Sequence, residues 1–382
     1  MGLAGGVAAL GLGAAFWREM LAEDAGGAPS LPHGPGYGPL GKPDEHGIRL
    51  PEGFSARVVA RGKEKVPGTS YRWHVASDGA ATFATGGGGW ILASNSEDED
   101  GGVSAIRFDR DGRIEDAYRI LDGTTANCSG GATPWGTWLS CEEVEGGHVW
   151  ECDPTGRRRA VMHPAMGAFK HEAAAVDPHE RRVYLTEDLI DGGFYRFTPR
   201  RWPSFDSGLL EVAIVGAGGV VSWTEVPDPA GRRRRTRYQI HDMTHFRRAE
   251  GIWYDSATVY IATTADSQIH AYDTRRRRVE TIYDGLARKN PPLILVDQMT
   301  LSPGGELFVC EDSGSPEQHI GVLEPSHAVR RFLSISGPEH AGSELTGVAF
   351  TPGGRHLYFS SQRARENGAI YEVSGPFRRA RS

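Results

Sequence analysis

Cys128, Glu172, Glu250 and Asp297 are scattered along the chain, yet each opens an apolar run and each stands six residues before a turn position, at Pro134, Pro178, Ser256 and Pro303 respectively. A shared offset in four separate runs predicts that the four side chains occupy the same place in four copies of one structural unit. One thiol and three carboxylates brought to a common point repel one another strongly in a low-dielectric setting unless cations neutralise them. The chemistry implied is therefore polynuclear metal binding. An excess of oxygen ligands suits calcium, whereas a thiolate among carboxylates points to a transition metal as well, with iron the natural candidate. Any one of these acids taken alone would read as a solvated turn carboxylate, and Cys128 alone as a small buried residue; the agreement between copies carries the metal reading.

The units that must position these residues are visible as a repeat. An inner strand opens on a polar residue, runs to a Pro/Gly/Asp turn, and returns as a β-branched or aromatic strand ending in acids. The pattern occurs from Cys128, from Glu172, from Glu250, from Asp297 and from Thr346, with a degenerate copy running from Trp73 to Asp98. Six copies, each followed by further strands such as 192–199 and 267–274, predict an all-β fold, a six-bladed β-propeller whose first strands line a central channel holding the metal site. Hairpins with turns at fixed offsets exclude an α/β fold. The second strands end near the same mouth with Glu142, Glu187, Asp188, Glu311 and Asp312.

Composition agrees. Fifty-one glycines without a collagen period suit a protein of many tight turns. A net charge of -7 argues against nucleic acid as a partner. The arginine tracts 232–235 and 275–278 sit beside turn signals and read as solvated hairpin loops. Residues 1–25 read as an export signal lacking its basic start, 26–44 as a flexible linker, and 45–377 as a single propeller domain, expected to be monomeric and without stable membrane insertion. The four cysteines fit neither a zinc site nor a disulfide framework. His241 and His245 stand four apart but lie in no helical pattern, so they read as loop or rim residues. Lys170 is one of only five lysines and directly precedes His171 and Glu172, which makes it a candidate contact for an anionic substrate. Serine-hydrolase elbows and phosphate-binding P-loops are absent from the sequence.

The segments 125–143, 170–188, 249–255, 296–312 and 344–359 resemble, in order, the motifs of the PhoX family, and the resemblance runs from about Leu50 to Gln362. It implies a propeller-borne phosphomonoesterase using calcium and iron, exported folded by the twin-arginine route to the periplasm or beyond, with a small-molecule phosphoester as substrate. It makes Cys128 an iron ligand and Glu172, Glu250 and Asp297 ligands that bind and bridge iron and calcium; Asn95 and Glu97 would add polar groups to the site. Ser96, Gln298 and the segment after Gln362 depart from the family pattern. Lys170 and Arg363 are the expected outer contacts to substrate. Two alternatives remain open at this level: a calcium-dependent lactonase or esterase, which would need no thiolate, and a non-catalytic binding propeller stabilised by its metals.

Overall fold

The computed structural model describes residues 36–379, so the expected export signal lies outside the described residues. Six antiparallel sheets form the blades. Blade 1 contains Ser77–Ala84, Trp90–Ser96, Val103–Phe108 and Ile114–Leu121, and blade 2 contains Asn127–Ala132, Trp138–Glu142, Val149–Cys152 and the short Val161–Met162. Blade 3 has five strands, His171–Asp177, Arg182–Glu187, Phe194–Arg201, Ser204–Val215 and Val221–Glu225; blade 4 has Ala249–Asp255, Thr258–Thr263, Gln268–Asp273 and Arg278–Asp284. Blade 5 runs Val296–Leu301, Leu307–Glu311, Glu317–Leu323 and Val329–Ser336, with Ile48–Arg49 added at its edge. Blade 6, Leu345–Phe350, His356–Ser361 and Ala369–Ser374, takes its outer strand, Ser55–Arg61, from the start of the propeller. This exchange ties the two ends of the ring together.

Alternating side chains of each blade pack against the next, so the core is a ring of interblade layers rather than one central mass. Leu139, Val183, Leu185, Tyr195 and Phe197 fill the space between blades 2 and 3, and Phe308, Phe332, Phe359 and Tyr371 the space between blades 5 and 6. Part of the segment expected to be a flexible linker belongs to this packing. Tyr37 meets Phe54, Phe332 and Phe377 edge-on, its hydroxyl donates to Glu306 Oε2 at 2.6 Å, and Gly41 N donates to Leu50 O, so the linker assignment is corrected for residues 36–44. The cause is the aromatic residue, which gains more from the apolar edge of blades 5 and 6 than the Gly/Pro-rich chain loses on being ordered. All four cysteines are buried and free.

Close approach of the inner strands sets the channel. A Cβ placed on Gly131 would lie 1.8 Å from the Ala174 carbonyl oxygen of the next blade, and one on Gly251 would lie 2.5 Å from that of Asp297. We predict that Gly131→Ala destabilises the protein by about 3 kcal/mol, as over-packing of a well-filled interior does, while Gly353→Ala, with nothing within 4 Å, changes stability by less than about 0.5 kcal/mol. Denaturant midpoints of the two variants provide the measurement.

Candidate metal centre

The second residue of the inner strand is, blade by blade, Asp78, Cys128, Glu172, Glu250, Asp297 and Thr346. In the first five blades the ladder breaks at this residue: two positions of the inner strand, 78–79, 128–129, 172–173, 250–251 and 297–298, oppose a single residue of the second strand. A β-bulge re-aims the side chains at the break, and here it does so at the same end of the channel five times over. The residue ahead of the strand is left-handed in four blades, at Ala76, Ala126, Arg248 and Leu295. Such strain costs about 1 kcal/mol or more at each non-glycine residue and collects at functional sites.

A second ring follows the second strands: Glu97, Glu143, Asp188, Thr264, Asp312 and Gln362. Strand alternation decides which of the paired acids face the mouth. Glu143 lies in the cluster, while its neighbour Glu142 accepts bonds from Thr125 N and His148 N; Glu187 and Glu311 likewise turn outward, to Tyr195 and Arg237 and to Ile294 N and His319. The mouth therefore takes Glu143, Asp188 and Asp312, of which the last two were expected.

Three overlapping groups result, each with ligand atoms within 4.8 Å of one another: Asp78, Glu97 and Cys128; Cys128, Glu143 and Glu172; Glu172, Glu250 and Asp297. All four residues of the shared offset are thus brought together, with Glu97 beside them. Both Glu172 oxygens and Asp297 Oδ1 are buried without a hydrogen-bond partner, and Glu250 Oε1 lies 2.6 Å from Arg248 Nη2 yet off the direction of a hydrogen bond. Orphaned buried carboxylate oxygens are rare in folded proteins and call for an ion. The donor set fits cations: oxygen-rich around Glu172, Glu250 and Asp297, with a thiol beside Glu172 and Glu143.

Burial raises the pKa of Glu172, Glu250, Asp297, Glu143 and Glu344 well above the carboxylate range, and neighbouring carboxylates raise them further. Asp78 is pushed up to about 7 by burial and by Glu97, and burial with Asp78 and Glu172 raises the Cys128 thiol. Asp188 moves the other way: burial would raise it, but Arg248, Glu143 and Lys170 together hold it below its ordinary range. Arg248 is a cation inside the acid rings, with Nε 2.8 Å from Asp188 Oδ1 and Nη2 3.3 Å from Asp312 Oδ2. It stands in the blade whose second-ring position is the neutral Thr264.

Other expected residues differ in role. Asn95 is buried with its amide fully occupied: Nδ2 donates to the Cys128 and Ser129 carbonyls, and Oδ1 accepts from Trp138 Nε1 and Ser140 Oγ. It clamps blade 1 to blade 2 and has no lone pair left for a metal, which corrects its reading as a group of the site. Lys170 Nζ is held by Glu143 Oε1 at 2.7 Å and Asp188 Oδ2 at 3.2 Å, so its charge is directed to the cluster. Arg363 is half exposed, with its guanidinium 3.8 Å from Glu97 Oε2. Asp78, Glu143, Arg248, Glu344 and Gln362 were missed as site residues. Thr346 keeps the offset of the other four copies, six residues before Pro352, whereas the strand of Asp78 runs on to Ala84 and its turn follows only at 85–89.

Fold and site together define a six-bladed propeller with a carboxylate-and-thiol centre at one mouth of its channel. The family described as alkaline phosphatase PhoX matches residues 100–147 and 144–285, and over that stretch the chain is similar to that family. In fold it is similar to Pseudomonas fluorescens PhoX solved in complex with vanadate, a transition-state analogue, at 17% identity and a TM-score of 0.71, covering 88% of this chain and 97% of that one. A protein of unknown function from Bacteroides thetaiotaomicron is similar over 84% of this chain and 76% of its own, at 11% identity and a TM-score of 0.55. No curated protein matches the chain in sequence.

The raised carboxylates fix a pH dependence. A carboxyl whose folded pKa exceeds its unfolded value stabilises the fold below the unfolded pKa, near 4, and loses that contribution as pH rises through the folded one. Chelator-treated protein is therefore expected to lose thermal stability steadily from about pH 4 through pH 7, where Asp78 titrates, and beyond. Added calcium should restore it most at the alkaline end, where the ligands are free of protons. A melting temperature insensitive to both pH and chelator would refute the convergence.

Proposed function

We propose that the chain is a metal-dependent phosphomonoester hydrolase of the alkaline phosphatase type, with calcium and iron as its ions. The observation that supports this most directly is the pair of buried, unpartnered Glu172 oxygens together with Asp297 Oδ1, beside Glu250 and the Cys128 thiol. Cys128, Glu143 and Glu172 would hold the softer ion, and Glu172, Glu250 and Asp297 the harder ones. When bound, such ions supply positive charge against the phosphoryl oxygens and acidity that activates a water or hydroxide for in-line attack. The protein's own groups do the rest. Asp78 accepts bonds from Gly79 N at 2.6 Å and Thr346 Oγ1 at 2.7 Å, together with the Gln298 and Gln362 amides, which fixes its orientation. Lys170 and Arg248 hold Glu143, Asp188 and Asp312 in place and offset part of their charge. Arg363, at the rim, would steer the anionic ester to the mouth and hold it there.

The test is turnover of a chromogenic phosphomonoester across alkaline pH by the calcium- and iron-loaded chain; no turnover above a Glu172→Gln control would sink the proposal. Arg363→Ala is expected to raise KM about tenfold with kcat little changed, the loss of one exposed charge-assisted contact to a phosphoryl group. Loaded protein should be coloured by thiolate-to-iron charge transfer. Cys128→Ser should abolish colour and turnover together, whereas a calcium-dependent lactonase would keep its activity.

We also propose export through the N-terminal segment. Among the described residues no helix is long and apolar enough to cross a membrane. Fractionation of cells expressing the chain, with a twin-arginine-deficient strain as control, tests the route.

A further inference from the structure

Residues 226–248 leave the outermost strand of blade 3 and return to the inner strand of blade 4 by way of the rim. This strap is anchored along its length. Pro229 O accepts from Ala168 N, two residues before Lys170; Thr244 N donates to Ala213 O, Phe246 N to Gly192 O and Arg248 N to Leu189 O. Its chief fastening is Arg237, whose side chain is 3% exposed. The guanidinium donates to Glu187 Oε1 at 2.9 Å and to Glu145 Oε1 at 2.6 Å, residues that flank Asp188 and Glu143 of the second ring. Arg235 reaches the same Glu145 oxygen at 2.8 Å.

Burying a guanidinium is expensive unless it is fully paired, and a passive surface hairpin needs no such anchor. What the anchor holds beside the rim is Arg232, Arg233 and Arg234, all exposed, whose guanidinium groups make no ion pair or hydrogen bond among the described residues, while Arg233 N donates to Asp228 Oδ2 and Arg234 O accepts from Gln239 Nε2. Other basic turns pair some of their arginines, Arg113 with Asp111 at 2.7 Å, Arg158 with Asp153 at 3.2 Å and Arg276 with Asp273 at 3.8 Å, and leave others such as Arg157, Arg275 and Arg277 without an ion pair among the described residues, so what sets the strap apart is its buried anchor. Three unpaired guanidinium groups pinned near a mouth that receives anions form a local positive field, and guanidinium is the group best suited to phosphate.

We propose that the strap arginines Arg232, Arg233 and Arg234 bind a second anionic group of the substrate, so that the preferred substrates are phosphomonoesters carrying another phosphate. This rests on the phosphomonoesterase reading. The test compares kcat/KM for fructose 1,6-bisphosphate and p-nitrophenyl phosphate in the metal-loaded chain and in a variant with Arg232→Ser, Arg233→Ser and Arg234→Ser. Electrostatic recruitment of this kind raises association by about tenfold or more at low salt. The variant should lose about that factor for the bisphosphate alone through KM, and 0.5 M salt should erase the difference in the parent chain. Serine at Arg275, Arg276 and Arg277, on the turn at the end of their strands remote from the mouth, should change neither substrate. An unchanged ratio, or equal losses on both substrates, overturns the proposal. A second measurement, calorimetric binding of pyrophosphate to the loaded chain, needs no turnover: weaker binding by the strap variant supports the strap even if neither ester is hydrolysed, an outcome that would sink only the phosphatase reading, and equal binding by both chains overturns it.

Discussion

The structure depends on mutual repulsion among acids held out of water. Asp78, Glu143, Glu172, Glu250 and Asp297 are forced together by the geometry of the ring, and their raised pKa values record how unfavourable that convergence is for bare charges. A propeller can impose it because each blade is secured by its own ladder and by apolar layers far from the channel. The ion-binding free energy then adds to a fold already held from outside, rather than creating it.

Positioning relies on backbone irregularity as much as on regular strands. The bulge at the second residue of the inner strand takes Cys128 or Glu172 out of strict alternation, and the left-handed residue before it in four blades turns the chain inward. Both devices are locally costly. Left-handed residues also occupy the far turns, at Arg181, Ser256 and Ala257 among others, so it is the bulge, repeated at the mouth end of five inner strands, that ties the irregularity to the centre.

Much of this was legible in the sequence because a repeat converts offset into position. The six-bladed fold and the meeting of Cys128, Glu172, Glu250 and Asp297 followed from one alignment. Asp78 escaped because its strand runs on to Ala84 and its turn, closed by Thr85 N on Gly89 O, begins only afterwards, so the six-residue offset of the other copies is not kept. Glu143 escaped for a different reason: in a pair of adjacent acids, only the pleat decides which one faces inward, and the register of the pleat is a property of the paired strand. Asn95 sits at the strand end that a ligand could occupy, but its amide is saturated by carbonyls and donors of blade 2, a partnership between segments that no local pattern records. Arg248 was invisible for the same reason, since two of its acid partners, Asp188 and Asp312, come from the neighbouring blades.

The distribution of basic groups completes the electrostatic argument. Lys170 and Arg248 occupy positions directly ahead of inner strands, and each bridges acids of neighbouring blades, so the chain supplies part of its own neutralisation where carboxylates are densest. Complete neutralisation from within would leave no use for metal. Protein cations instead stop short of both Glu172 oxygens and Asp297 Oδ1, which remain without hydrogen-bond partners. Farther out, Arg363 at the rim stands beside Glu97, and the strap arginines Arg232, Arg233 and Arg234 form no ion pair among the described residues. On the proposed reading, an anion approaching the mouth would meet the strap guanidinium groups first and the acids last, the order that would draw a phosphoester inward while keeping the acids reserved for ions.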